Sequence, residues 1–332
     1  MHKKVKIGFI GCGKITQVRH APCFLKMAKK AKITGLYDLN PKTAQKLNKD
    51  LSLKASIYSS SRDLLASGIQ GVVISTPNIS HYSLSMQALK AGIHVLVEKP
   101  MAVNLKQADM MIETAHKKKL VLQVNQSFRF NPVHNKIKTL IDSGEIGEIV
   151  HVRCLRAGGN TPDKGWAPGS TWFVQKKFRG GLIMDLGVHM ADLLGWLVGK
   201  AKSVYSINSI RIHSNNVPDN VTAILEFANR VTGVLELSWT IPCGGILLEI
   251  YGSKGAIRVG FNEKNKLELA SKNKIYKAVK VGKGKSYQSW FVDSINGVKG
   301  NPSLGEVGRH ALAYCMAIEK SGRTGKPVVP NL

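Results

Sequence analysis

Short apolar runs and amphipathic stretches alternate along the first 125 residues. The runs at 5–10, 33–37, 71–75, 93–97 and 120–124 are rich in Val, Ile and Leu and too short for helices, so they read as buried strands. Between them the spacing predicts a helix from Lys14 to about Lys30, with Ile15, Val18, Phe24, Leu25 and Ala28 on its buried face. Further helices are expected from near Pro41, from Ser80 to Ala91, and from Asn104, where Gln107 completes a capping box, to about Lys117. Strands alternating with helices of this length predict an α/β fold with a doubly wound parallel sheet and right-handed connections. In such sheets ligands bind outside the carboxyl ends of the strands, which here are glycine-rich or polar.

After Asn125 the pattern changes. Asn131-Pro132 opens a helix that stops at Gly144, and strands then dominate at 149–155, 203–210, 221–227, 231–239, 246–251 and 256–259. The segments 221–227 and 231–237 partly alternate and are joined by Ala228-Asn229-Arg230, which predicts an antiparallel hairpin. One helix interrupts the strands, from Gly180-Gly181 to a stop at Gly199. The expected division is residues 1–125 and 126–332. The second domain carries a mainly antiparallel sheet with helices on one face and the other face open to a subunit contact. A last helix, about 303–322, is expected to pack back on the first domain.

Composition changes this picture little. A chain of 332 residues, 43% hydrophobic and 21% charged, has the make-up of a globular protein of about two domains. The net charge of +27 is less ordinary, yet it comes mostly from scattered lysines with no arginine-rich block or aromatic-basic interleaving. It reads as a solvated basic surface with no specific nucleic-acid site, and it tilts the substrate toward an anion. Five cysteines, at 12, 23, 154, 243 and 315, lack CxxC spacing and are odd in number, which argues against a disulfide framework or structural zinc and fits a reducing compartment. No apolar stretch approaches the ~18 residues a membrane helix needs, so a cytoplasmic protein is expected.

Candidate chemistry gathers at the strand ends. Gly11-Cys12-Gly13 follows the first strand at once, and the helix start at Lys14-Ile15 would present backbone N–H groups to a pyrophosphate. Thr16 stands at the sixth place of the glycine pattern, where its β-branch should loosen helix–strand packing. Ile15 after Lys14 offers no hydroxyl to Mg²⁺, which excludes a nucleotide-triphosphate loop. Asp38 ends the second strand, 25 residues after Gly13. It is placed either to bind a ribose 2′-hydroxyl, which favours NAD over NADP, or to cap the helix that follows. Thr76, Pro77, Asn78, Glu98, Lys99 and Gln126 fall at the same edge. Lys99 is then a residue for chemistry or one half of a salt-bridged strand end. Asp185 and His189 are four apart on a helix, with Asp192 and Trp196 extending the row. They could act on one substrate hydroxyl or only steady the helix. No further ligand stands at metal spacing, so no metal is expected. The stretch from Arg156 to Arg179 holds Lys164, Trp166, Trp172 and Phe173, a composition that suits sugar stacking, a phosphate grip or ordinary packing.

Taken together, Gly11-Cys12-Gly13, Glu98-Lys99-Pro100, Arg129-Phe130-Asn131-Pro132, Asp185-x-Gly187-x-His189 with Asp192, and Gly325-Lys326-Pro327 resemble the glucose–fructose oxidoreductase/inositol dehydrogenase (Gfo/Idh/MocA) family. The resemblance implies a Rossmann domain followed by an α/β domain with a large open sheet, commonly buried in homodimers or homotetramers. It implies a nicotinamide cofactor and a sugar, cyclitol or nucleotide-sugar substrate. The family's catalytic lysine falls on Lys99 and its aspartate and histidine on Asp185 and His189. The expected substrate contacts are Lys99, Arg129, Trp172, Asp185 and His189. A histidine with an ordinary pKa near ~6.5 suits the base that takes a proton as hydride leaves. Two other activities fit the same outline, an NAD-dependent glycoside hydrolase and a non-catalytic nicotinamide sensor.

Overall fold

The computed structural model describes residues 4–212, 216–260, 266–271 and 275–332, which form two compact units, Met1–Gln126 with Lys285–Arg309 and Ser127–Gly284 with His310–Leu332. The first is built on β1 (Val5–Ile10), β2 (Ala31–Tyr37), β3 (Ser56–Ile57), β4 (Gly71–Ile74), β5 (His94–Val97) and β6 (Leu122–Val124), all parallel, in the order β3-β2-β1-β4-β5-β6. β4 is buried throughout and β1 and β5 nearly so, as strands covered on both faces must be. The strand order reverses between β1 and β4, so their carboxyl ends flank the crevice where doubly wound sheets take a ligand.

Helices α1 (Ala21–Lys26), α2 (Pro41–Asp50), α3 (Ser61–Leu65), α4 (His81–Lys90) and α5 (Leu105–Lys117) connect these strands. Three begin where a polar side chain can take an orphan N–H: Asn40 accepts from Lys42, Ser60 from Asp63 and Asn104 from Gln107. Gln107 reaches back to the N–H of Val103, one residue before the cap. The helix expected from Lys14 to Lys30 opens into a π turn at Thr16–His20 and ends at Lys26.

In the second unit the sheet has the order β14-β13-β12-β11-β7-β10-β9-β8. Its strands are β7 (Ile149–Ala157), β8 (Ala201–Ser209), β9 (Asn220–Phe227), β10 (Thr232–Ser238), β11 (Ile246–Gly252), β12 (Gly255–Val259), β13 (Leu267–Ser271) and β14 (Tyr276–Ala278). β9 and β10 form the expected antiparallel hairpin, with Val234 opposite Ile224. β7 and β10 run parallel, so the sheet is mixed, although every other pairing is antiparallel. Val152, Cys154, Leu235, Leu237, Leu248 and Ile250 are buried on one face. Helix α6 (Pro132–Asp142) starts at an Asn131 cap, and α7 (Val188–Leu197) brings Met190 to 3.4 Å from Cys154. The opposite face carries Arg153 paired with Glu236 at 2.9 Å, together with exposed Ile207 and Ile224.

The chain then returns. Helix α8 (Tyr287–Ile295) places Phe291 and Val292, both fully buried, in the core that holds Phe9, Phe24 and Leu36, so 285–309 belongs with the first unit. From His310 onward, α9 (Gly305–Thr324) counts with the second unit, where the Ser206 hydroxyl donates to the Ile318 carbonyl at 2.7 Å. Among the described residues no helix is long and apolar enough to cross a membrane.

Candidate active site

The turn after β1 is held by its own polar groups. Gly11 has φ +92°, and its N–H donates to the Tyr37 carbonyl at 2.9 Å. Its carbonyl accepts from the hydroxyls of Thr16 (2.8 Å) and Ser75 (2.9 Å). Thr16, expected to loosen this region, is instead fully buried, and its hydroxyl ties the helix start to the turn where the π turn begins. Asp38 accepts from the N–H of Cys12 at 2.8 Å and of Asn40 at 2.9 Å. The side chain that caps α2 is Asn40, not Asp38. Burial, with the Asp38 carboxylate nearby, pushes the Cys12 thiol up to about 12, so it stays protonated.

Around the ends of β4 and β5 a second network forms. Glu98, 8% exposed, accepts from His20 Nε2 at 2.9 Å and from Asn125 Nδ2 at 2.6 Å. Burial raises the Glu98 pKa, but the His20 and Asn125 bonds and the neighbouring Lys99 outweigh it and hold the carboxyl below its usual range. Lys99 follows at once, half-buried, joined to Pro100 by a cis peptide. His81 sits between the carbonyls of Pro100 and Thr76, both at 2.8 Å from its ring nitrogens. Burial keeps its pKa low, and a neutral imidazole donates to only one of the two. Thr76 accepts from the Ser80 hydroxyl at 2.7 Å, and Asn78 is buried beside Pro77.

Does this unit fit a dinucleotide? The first i→i−4 bond of the helix runs from Gln17 N–H to the Gly13 carbonyl, at 3.0 Å, so helix geometry leaves the N–H groups of Gly13, Lys14 and Ile15 outside the ladder. A Cβ built on Gly13 meets nothing within 4 Å, which marks the open side of the turn. Gln126 is 1% exposed, and neither atom of its side-chain amide is hydrogen-bonded among the described residues. Open helix-start donors, a fixed carboxylate 25 residues after Gly13 and an orphaned buried amide suit a dinucleotide.

In the second unit the Gly180-Gly181 pair lets the chain pass close to the preceding turn. A Cβ on Gly180 would lie 2.3 Å from the Phe173 carbonyl oxygen, and Gly181 has φ +114°. That turn carries Trp172, stacked on Phe173 with ring centres 3.8 Å apart. Asp185 lies in a second π turn, Ile183–Gly187, and His189 in the first turn of α7; both are half-buried. The Phe128 ring stands 5.4 Å from His189 and 4.7 Å from His134. Burial pushes the His134 imidazole down to about 4, which leaves it neutral near pH 7. Arg129 is engaged by Asp192: its Nε lies 2.9 and 3.0 Å from the two carboxylate oxygens and its Nη2 2.9 Å from Oδ1, while the guanidinium covers Trp196 at 5.2 Å. Asp192 and Trp196 thus share a row, and what they share is Arg129.

Sequence reasoning passed over His20, His81 and Phe128, and reached Asn125 and Arg156 only as members of the stretches 123–126 and 156–179. None lies in a motif with a recognised spacing, and each gains its neighbours through long-range packing.

Comparisons with known proteins fall on both units. A family model described as an oxidoreductase family with an NAD-binding Rossmann fold matches residues 5–126, and one for the GFO/IDH/MocA C-terminal domain matches 134–258. Glucose-6-phosphate 3-dehydrogenase of Bacillus subtilis is 30% identical over 63% of this chain and 57% of its own length. The NAD⁺-dependent scyllo-inositol 2-dehydrogenase of the same organism is 26% identical over 78% of this chain and 75% of its own. A WlbA dehydrogenase from Bordetella pertussis, solved with NADH and UDP-GlcNAcA, superposes with a TM-score of 0.87 at 25% identity, covering 99% of this chain and 100% of that one.

Proposed function

We propose that this chain, which belongs to the Gfo/Idh/MocA oxidoreductase family, is an NAD-dependent dehydrogenase acting on a secondary hydroxyl or keto group of a sugar, cyclitol or nucleotide sugar. The observation that carries the reading is the glycine turn with Asp38 fixed beside it. Two backbone N–H groups hold that carboxylate in place to accept from a ribose hydroxyl, and its charge repels a 2′-phosphate, which supports NAD over NADP. When bound, the nicotinamide supplies the hydride acceptor. Lys99 holds the reacting hydroxyl and stabilises negative charge developing on its oxygen. His189 takes the hydroxyl proton, and Asp185 orients the imidazole or a neighbouring hydroxyl. Trp172, and Arg129 through its grip on Asp192, shape the place of the substrate.

A homodimer or homotetramer through the open sheet face belongs to the same proposal. Tyr205, Ile207, Ile224 and Tyr251, between 37% and 63% exposed, are the apolar positions that support it. A cytoplasmic location is supported by five free cysteines. The test is a screen of sugars, cyclitols and nucleotide sugars for NADH formation, followed by Lys99→Ala on the best substrate. The variant is expected to bind NADH and lose most turnover. Full turnover would overturn the role of Lys99, and product formation without net NADH would point to a hydrolase.

A further inference from the structure

Arg156, near the end of β7, is a cation of the second unit to which the chemistry above assigns no task. Its guanidinium carbon lies 5.3 Å from the centre of the Phe128 ring, the same ring that flanks His189 and His134. Asp185 is near enough to act on its charge. Its Nη1 is sealed from solvent and has no hydrogen-bond partner among the described residues. A buried donor of this kind calls for a partner, because desolvation removes the water that would otherwise serve it.

Neighbouring groups do not compete for that partner. Arg129 is already engaged by both oxygens of Asp192, and His134 is neutral. Arg156 therefore keeps a donor open where Arg129 and His134 do not. A planar fork of this type matches carboxylate and phosphate oxygens, and bonds to a charged acceptor are stronger than bonds to a hydroxyl. We propose that Arg156 determines specificity by receiving an anionic group of the sugar substrate, a carboxylate or a phosphate, beside Asp185 and His189. The proposal rests on the dehydrogenase reading and narrows its substrate class. The net charge of +27 draws such substrates toward the protein. Asp185 works against a second negative charge and so limits the preference.

Matched pairs test it: D-glucose 6-phosphate and D-glucuronate, each against D-glucose. NADH formation gives kcat and KM, and calorimetry on the NADH-bound protein gives affinity without turnover. The full chain is expected to favour the anionic member of at least one pair, and the pair identifies phosphate or carboxylate. In Arg156→Met the ratio of kcat/KM for the anionic over the neutral member should fall roughly 10- to 100-fold, mainly through KM, with Arg156→Lys intermediate. Equal treatment of both members of every pair by the unmodified chain, in turnover and binding, would overturn the assignment and needs no variant to fold. So would an Arg156→Met protein that slows both members alike. Oxidation of neutral sugars alone would end the anion proposal and leave the dehydrogenase reading standing. Binding of sugars without any NADH formation would end the dehydrogenase reading, and the calorimetric ratio would still judge Arg156.

Discussion

Alanine at Gly11 and alanine at Gly13 separate two roles that the glycine turn combines. At Gly11 a Cβ would stand 2.6 Å from the Ser75 carbonyl oxygen and 2.8 Å from its carbon, backbone atoms that cannot swing aside. A left-handed φ costs an ordinary residue roughly 1–2 kcal/mol, and forcing a packed contact apart adds roughly 1–3 kcal/mol. Gly11→Ala is therefore expected to lose about 2–5 kcal/mol of stability, and its affinity for NADH with it. At Gly13 a Cβ meets nothing within 4 Å, and the backbone is not left-handed. There alanine should leave stability unchanged or raise it by up to about 1 kcal/mol, by restricting the unfolded chain. The same methyl would stand on the side proposed for the pyrophosphate. Losing one charge-assisted hydrogen bond, about 1.5–3 kcal/mol, weakens NADH binding roughly 10- to 100-fold. Urea unfolding without cofactor, followed by tryptophan fluorescence, measures the first quantity, and NADH titration measures the second. A Gly13→Ala protein that binds NADH as tightly as the unmodified chain would refute the assignment of this open side to the dinucleotide. A Gly11→Ala protein with an unchanged urea midpoint would refute the strain argument.

Removing the Glu98 carboxylate leaves His20 and Asn125 buried without their acceptor, so Glu98→Ala should cost about 3–5 kcal/mol in urea unfolding and Glu98→Gln less. Because the folded pKa of Glu98 lies below its unfolded value near 4.5, its stabilisation is present above that pH and lost as pH falls through the folded value. Glu98→Gln should accordingly flatten the acid limb, and an acid limb identical to that of the unmodified chain would count against the network. Asp192 has the opposite sign. Burial pushes its carboxyl up to about 6 in spite of Arg129, so its contribution is full below about 3.8 and declines as pH rises through about 6. Asp192→Asn, which stays uncharged at every pH, should remove that slope from urea unfolding measured between about pH 4 and pH 7, and a slope unchanged in the variant would count against the assignment. Asp38→Ser should shift the ratio of NADH to NADPH affinity toward NADPH by roughly tenfold or more, as fluorescence titration would reveal. An unchanged ratio would return Asp38 to a purely structural role.

Local features of this protein were legible in the amino-acid order because their causes are local. Alternating apolar runs dictated β1, β4 and β5, the tripeptide Gly11-Cys12-Gly13 dictated the turn, and Asn104 with Gln107 dictated the start of α5. The hairpin of β9 and β10 followed from a three-residue loop between two partly alternating strands. Competing roles were harder: Asp38 could have bound a ribose or capped α2, and only the folded turn, which draws Asp38 to the N–H of Cys12 and leaves the cap to Asn40, excluded the cap. The parallel pairing of β7 with β10, and the return of Phe291 to the first core, depend on segments far apart in the chain. An apolar pattern specifies that a face will be buried, not against what. The Glu98 network joins residues 78 and 27 positions away, and Arg156 acquires its surroundings from Phe128. Such constellations are decided by the free energy of the whole packed unit, in which each buried polar group must find its partner, and no stretch of sequence contains that sum.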